Sequence, residues 1–549
     1  MTAVGVGVLA QSQNFTVTPL DLTVILAYLV ITIGIGYWYS QRSGGNEDSE
    51  GYFLGGRNFI WPFVGFSLLA TNMSGSSFVG FAAAGYTTGV NVYNYEWMAT
   101  VVLIFAALFI FPIYLRSRVY TMPEFLERRF DRRSRYAFSG FTIVANLFVD
   151  AAGALYAGGV VIQTIYPNWP LWQIILGLAI VAGAYTIVGG LAAVVITDTI
   201  QAIVLMIGGA IVFFAAMNAI DSVDAVRQAA PDGAFSVVLP PADEAMPWPG
   251  ILLGVLPIGF YFWVTNQVIV QRTLGARSID HGRWGMLFAG ALKLPMIFLM
   301  ILPGLLAIQL FPNLDNPDLA FPTLVFDLLP AGVRGIVLAA LVAAIMSSLD
   351  SVLNSVSTLV TVDFVETFAD FDERTQVRIG RIATVVFTIL AIIWSPQIQN
   401  FPNIVAYFQS FLAYLTPPVI VTFLMGLFWK RSTSPAAFWT IAIGFPVGVV
   451  LWIGNEVLLP DRGLMFLYAC GILCALWAIM FYVISINTEM TNEDVDELTF
   501  SWDVWRAESE ELAGKPWYKN YRTLAAILGV ATVLFVLPWI PGIPNGFGG

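Results

Sequence analysis

The sequence predicts an all-α polytopic membrane protein with about 14 transmembrane helices. Three observations predict it. Hydrophobic residues make up 58% of the 549 and charged residues only 11%, where a soluble chain carries about 25% charged residues. Mean hydropathy is +0.77. Apolar runs of roughly 20 residues recur down the chain, each long enough to cross a bilayer. A soluble chain of this length would make three or four domains of roughly 150 residues, and so few charges could not cover their surfaces.

The runs are 22–40, 60–85, 97–115, 137–164, 169–188, 191–217, 249–270, 284–310, 333–362, 378–395, 401–426, 435–456, 464–487 and 522–541. Backbone groups in lipid must bond within their own segment, so runs of this length are helices. Trp and Tyr gather near their ends, as in Tyr37-Trp38-Tyr39 and Tyr95-Glu96-Trp97, as interfacial aromatics do. The loop 116–135 holds seven Arg against Glu124, Glu127 and Asp131 and is expected in the cytoplasm. Counting from it, the loops carrying Arg272, Arg277 and Arg283 and carrying Lys430 and Arg431 are also cytoplasmic. The acidic loop 218–248 and both termini are expected outside. Residues 488–521 are mixed in charge and read as a cytoplasmic connector with some amphipathic helix. Residues 1–20 lack a basic n-region, so no signal peptide is expected.

Composition also excludes chemistry. One His (His281) and two Cys (Cys470 and Cys474, four apart in an apolar run) leave no disulfide scaffold and no His-based metal catalysis. A net charge of −11 offers no nucleic-acid surface. No stretch is large and polar enough for a tethered catalytic or signalling domain. That argues against an enzyme and against a transporter-derived sensor.

Two spans are interrupted. The second contains Ala70-Thr71-Asn72-Met73-Ser74-Gly75-Ser76-Ser77, and the seventh contains Pro257, Gly259, Thr265, Asn266 and Gln267. Such residues loosen the backbone or compete for its hydrogen bonds. Freed carbonyls are tolerated only inside protein or beside a cavity. Broken helices in corresponding positions five spans apart point to a transport site between inverted repeats. Close helix packing through small residues is the plainer alternative. The ninth span carries Ser347, Ser348 and Ser351, hydroxyls suited to a hard cation such as sodium or simply to bonding back onto the helix. Ionisable residues deep in spans are Asp150, Asp198, Lys293 and Asp350, with Glu96 near a span end. Each marks either function or a structural ion pair.

Taken together these segments resemble the sodium/solute symporter family, and within it the sodium–sugar cotransporter branch, from about residue 20 to 485. The matching motifs are Gly55-Gly56-Arg57, Ala70-x-Asn72, Tyr95-Glu96-Trp97, Tyr120-Thr121-Met122-Pro123-Glu124, Gly189-Gly190-Leu191 followed by Thr197-Asp198-x-Ile200-Gln201, Asn266-Gln267-x-x-Val270-Gln271-Arg272, Ser347-Ser348 and Gly426-Leu427-Phe428-Trp429-Lys430. The resemblance implies a five-plus-five inverted-repeat core of the leucine-transporter type. Residues 1–59 would then be an extra N-terminal helix and loop, and 60–217 the first repeat. An extracellular loop at 218–248 would lead to the second repeat at 249–426, with three C-terminal helices at 427–549.

The same resemblance implies a sodium site of Ala70, Met73 and Ala344 carbonyls with Ser347 and Ser348 oxygens. It also implies a role for Asp198 in sodium binding or coupling. It places Asn72, Ser77, Glu96, Trp263, Lys293 and Gln409 around the solute and Phe262 at the inner gate. Carboxylate and amide oxygens accept from hydroxyls and Lys donates, which suits a polyol. Departures bear on which sugar: Ser77 stands where relatives carry Gln or His, Gly259 where one has Asn, Phe262 where Tyr is usual, and Asn146 where some have an aromatic. Asp350 stands where relatives carry a small or hydroxyl residue. Two carboxylates close together need a cation or a proton between them. A second sodium held by Asp198, Ser347, Asp350 and Ser351, a proton on Asp350, or a structural role are the three expectations.

The implied activity is sodium-coupled symport of a small polar solute, a sugar first, by alternating access in the plasma membrane. Sodium is the coupling ion, and neither an organic cofactor nor an obligate protein partner is expected. An amino acid, a carboxylate or an inositol-like polyol is the alternative solute.

Overall fold

The computed structural model describes residues 16–42, 55–73, 75–166, 168–186, 191–360, 364, 373–401, 403–459, 464–490 and 495–543. Among these residues the chain is helical, with isolated β-bridges (Phe59 with Ala276, Leu239 with Pro247) and no strand. Each of the fourteen apolar runs overlies helix. Among the described residues, eight helices are long and apolar enough to cross a membrane, and two bent pairs, the eighth and eleventh spans, make ten. The first, fifth and ninth spans contribute shorter apolar stretches, Pro19–Thr32, Leu171–Ile180 and Val333–Val342. The second is divided into Trp61–Asn72 and Gly75–Thr88.

Each bend has a local cause. The second span stops at Met73, whose φ of −87° and ψ of 72° leave the helical region while its N–H still bonds Leu69 O at 2.7 Å. The seventh span runs through two π-helical turns, Ile251–Val255 and Tyr261–Thr265. It breaks at Asn266 (ψ 119°), whose Oδ1 caps the new helix Gln267–Leu274 by accepting from Val268 N–H at 2.9 Å. The eighth bends by 42° between Ile279–Lys293 and Ile297–Leu310, beside Pro295, and the eleventh by 55° before Pro417 and Pro418. Proline removes a helix hydrogen bond and crowds the preceding turn.

The broken second span lies at the centre. Its first half packs on the sixth and eighth spans, and its second half on the fourth, eighth and eleventh. At the break, the ideal position of a Cβ on Gly75 would fall 2.3 Å from Ile345 Cγ1 and 3.2 Å from Leu341 O of the ninth span. Only glycine lets these two backbones approach so closely. At the periphery, the tenth span (Glu373–Trp394) turns Ile382, Val385, Val386, Ile389 and Ile393 outward, all more than half exposed. An apolar stripe at helical spacing on the outside of such a bundle is a lipid face.

Two arginines depart from the loop reading. Arg272 lies on the helix Gln267–Leu274 and is buried, and Arg283 is buried beside Glu508, with Nη2 to Oε2 at 2.9 Å. The apolar run of the seventh span ends near 270, but its helix carries on to Leu274 and brings Arg272 inside.

Candidate functional site

The six expected solute residues, Asn72, Ser77, Glu96, Trp263, Lys293 and Gln409, all line one cavity of about 140 Å³. They come from the second, third, seventh, eighth and eleventh spans. Phe262, Ser348 and Ser351 border the same space.

Glu96 stands in the first turn of the helix Asn94–Phe109, and Lys293 in the last turn of Ile279–Lys293. Each helix end favours the charge placed on it, a carboxylate at the amino end and an ammonium at the carboxyl end. Lys293 Nζ lies 2.5 Å from Glu96 Oε2, with the side chains 1% and 3% exposed. Lys293 also donates to Asn72 Oδ1, and its Nζ sits 5.5 Å from the centre of the Trp263 ring. The ammonium therefore has a carboxylate, an amide oxygen and an aromatic face around it. Ser77 Oγ donates to Asn72 O at 2.8 Å, which satisfies a carbonyl at the helix break. Gln409 Oε1 is buried with no hydrogen-bond donor among the described residues. An orphaned amide oxygen beside a cavity is costly until a ligand donates to it.

Where the second and ninth spans meet, Ser348 Oγ donates to Ala344 O at 2.8 Å. Two of the five expected sodium ligands are thus neighbours, and the hydroxyl keeps its lone pairs for a cation. Ala70 and Met73 lie on the turn where the second span breaks, next to Gly75, which packs against Leu341 and Ile345 on either side of Ala344. Neutral carbonyl and hydroxyl oxygens suit a hard monovalent cation. No group of three His, Cys, Asp or Glu that could hold another metal occurs among the described residues. The side chains of Ser347 and Asp350 lie outside what the structure describes.

Asp198 and Ser351 are joined by a residue that the motif reading left without a role. Arg272 Nη2 lies 3.7 Å from Asp198 Oδ2 and donates to Ser351 Oγ at 3.0 Å. Ser67 Oγ donates to Asp198 Oδ2 at 3.1 Å. Asp198 and Arg272 are 1% and 2% exposed. The positive charge beside Asp198 thus comes from the chain itself. Residue-by-residue reading also missed the aromatic wall of the cavity, Phe81, Tyr95 and Phe408. Only Tyr95, next to Glu96, carried a signal.

A model of the sodium:solute symporter family matches residues 52–444. Among curated proteins, the chain is 36% identical over 463 residues to the sodium/glucose cotransporter of Vibrio parahaemolyticus, covering 79% of this chain and 85% of that one. It is 32% identical to sodium/glucose cotransporter 4 of Mus musculus, covering 86% and 76%. It is 33% identical to sodium/myo-inositol cotransporter 2 of Sus scrofa, covering 80% and 71%. Among solved structures, one described as the substrate-bound outward-open state of a Na+-coupled sialic acid symporter superposes with a TM-score of 0.72 at 20% identity, covering 86% of this chain and 99% of that one. That likeness shows the fold.

Proposed function

The chain belongs to the sodium:solute symporter family, and from that premise we propose that its solute is a sugar, a neutral hexose first. The observation that carries the reading is the composition of the cavity. Glu96, Asn72 and Gln409 present oxygens, Lys293 presents an ammonium, and Trp263 presents a flat apolar face. A ring bearing hydroxyls on its rim and C–H bonds on its faces satisfies all of these at once. Gln409 Oε1 awaits a donor, and a sugar hydroxyl supplies one. The sodium/glucose relatives agree with this chemistry.

Sodium binds between the break of the second span and the ninth span, on carbonyls of Ala70, Met73 and Ala344 and oxygens of Ser347 and Ser348. Ser348 also borders the solute cavity, so ion and solute share a wall. Sodium favours the state in which that wall is assembled, and the solute then binds to a cavity already formed. The repeats rock around the site, with Phe262 closing its inner side. The sodium gradient and the membrane voltage drive import, the voltage contributing ~2.3 kcal/mol per charge per 100 mV. The plasma membrane is the site of action, with both termini outside.

A second reading keeps the ion and changes the ring: the sodium/myo-inositol relative makes a cyclic polyol the next solute. The test is uptake of labelled glucose, galactose, myo-inositol and an amino acid into proteoliposomes, under an inward sodium gradient and under a matched potassium gradient. Sodium-dependent hexose uptake is the expected result. Sodium-dependent amino acid uptake with no hexose or inositol uptake would refute the solute assignment and leave the family membership standing.

A further inference from the structure

One charged residue of the cavity has no task in the reading above. Asp150 lines it from the fourth span, on the π-helical turn Asn146–Ala151 that interrupts the α-helix. Such turns are rare and occur frequently at functional sites. Glu96 and Lys293 neutralise each other. Asp150, by contrast, makes no hydrogen bond and no ion pair with any described residue, and its electrostatic neighbour is the uncharged phenol of Tyr261. An unpaired carboxylate inside a membrane protein is costly to keep and by default marks function.

The arithmetic of charge says what it selects. With all three side chains ionised, Glu96, Asp150 and Lys293 sum to −1 around the cavity. A sodium beside Ser348 brings that to zero, where a chain without Asp150 would stand at +1. A solute carrying a carboxylate would meet an extra like charge at Asp150. A solute carrying hydroxyls or an ammonium meets a strong acceptor, because hydrogen bonds to an ionised oxygen are shorter and stronger than neutral ones.

We propose that Asp150 is a solute-contacting selectivity residue, accepting hydroxyl or ammonium protons and setting the cavity to admit neutral hexoses and hexosamines while rejecting hexuronates. The proposal rests on the sugar reading and sharpens it: a repulsive element against the wrong solute accompanies the attractive one for the right solute.

The experiment is competition. Sodium-driven uptake of labelled hexose into proteoliposomes is inhibited by unlabelled hexose, the matching hexosamine and the matching hexuronate, for wild type, Asp150→Asn and Asp150→Glu. In the wild type, hexosamine should compete at least as well as hexose, and hexuronate at least roughly tenfold less well. In Asp150→Asn the hexuronate disadvantage should shrink by about tenfold, the hexosamine should lose its standing, and the KM for hexose should rise severalfold. Asp150→Glu, which keeps the charge, should keep the ranking. Should Asp150→Asn fail to fold, Asp150→Ser carries the same expectation. Normal wild-type uptake with an unaltered ranking in the neutral variant overturns this proposal alone. No hexose uptake by the wild type overturns the sugar reading and this proposal together.

Discussion

Lys293 Nζ lies 2.5 Å from Glu96 Oε2 inside the cavity, the carboxylate in the first turn of its helix and the ammonium in the last turn of its own. The pair balances its own charge and presents both an acceptor and a donor to the cavity. A buried pair of this kind is weak evidence for stability but strongly destabilising to break from one side.

Glu96→Gln should therefore cost ~3–5 kcal/mol of stability, because it strands a buried ammonium. Glu96→Gln with Lys293→Met should recover most of that loss, and neither protein should bind solute. Thermal unfolding in detergent with parallel solute binding checks both halves. A single variant as stable as the wild type contradicts the pairing.

Removing one of the proposed sodium ligands acts through linkage. Ser348→Ala should cost ~1–3 kcal/mol of sodium binding, by analogy with a buried polar group left unsatisfied. Half-saturating sodium should rise severalfold, and solute affinity at limiting sodium should fall with it. Unchanged sodium dependence of uptake would remove Ser348 from the ion site.

Arg272 answers Asp198 from within the chain, with 3.7 Å between Nη2 and Oδ2. Arg272→Gln should destabilise by ~3–5 kcal/mol, again by stranding a buried charge. With Asp198 already neutralised, one sodium per solute is expected, and the sodium Hill coefficient of uptake should be near one in wild type and in Asp350→Ser. A value near two in the wild type that falls to one in Asp350→Ser would establish the second sodium instead.

Asp318, in the loop between the eighth and ninth spans, accepts from Tyr156 Oη at 3.2 Å. Burial pushes its carboxyl up to about 6 from the ordinary 3.8. The folded state then holds this proton more tightly than the unfolded chain does, so stability falls as pH rises from about 4 to about 6 and levels off above. The fall should be on the order of 3 kcal/mol at 1.36 kcal/mol per pH unit. Asp318→Asn should flatten it. Thermal unfolding between pH 4 and 8 measures this, and a wild-type curve that is level across the window contradicts it.

Much of this was legible in the sequence, for a physical reason. A span declares itself by apolar length, and a broken span by polar and small residues where lipid demands helix, so the interruptions at Asn72-Met73 and at Asn266 could be read directly. Glu96 and Lys293 could be singled out because ionisable residues in apolar runs are rare. Their pairing could not, since they stand far apart in sequence and no periodicity links them. Arg272 was misplaced for a related reason: its helix outlasts the hydropathy signal by one turn. Asp150 was visible as a charge, but only the packing of the fourth span shows that it borders the cavity with no partner among the described residues.

Adjoining sites for sodium and a sugar on one protein would make each stabilise the other's binding. Equilibrium binding of a labelled hexose to the purified protein, at zero and at saturating sodium with osmolarity and ionic strength held constant, measures this coupling. Hexose should bind at least roughly tenfold more tightly in saturating sodium, a coupling of ~1.4 kcal/mol, with the same factor for sodium when hexose is varied. Hexose binding of equal strength with and without sodium would contradict it.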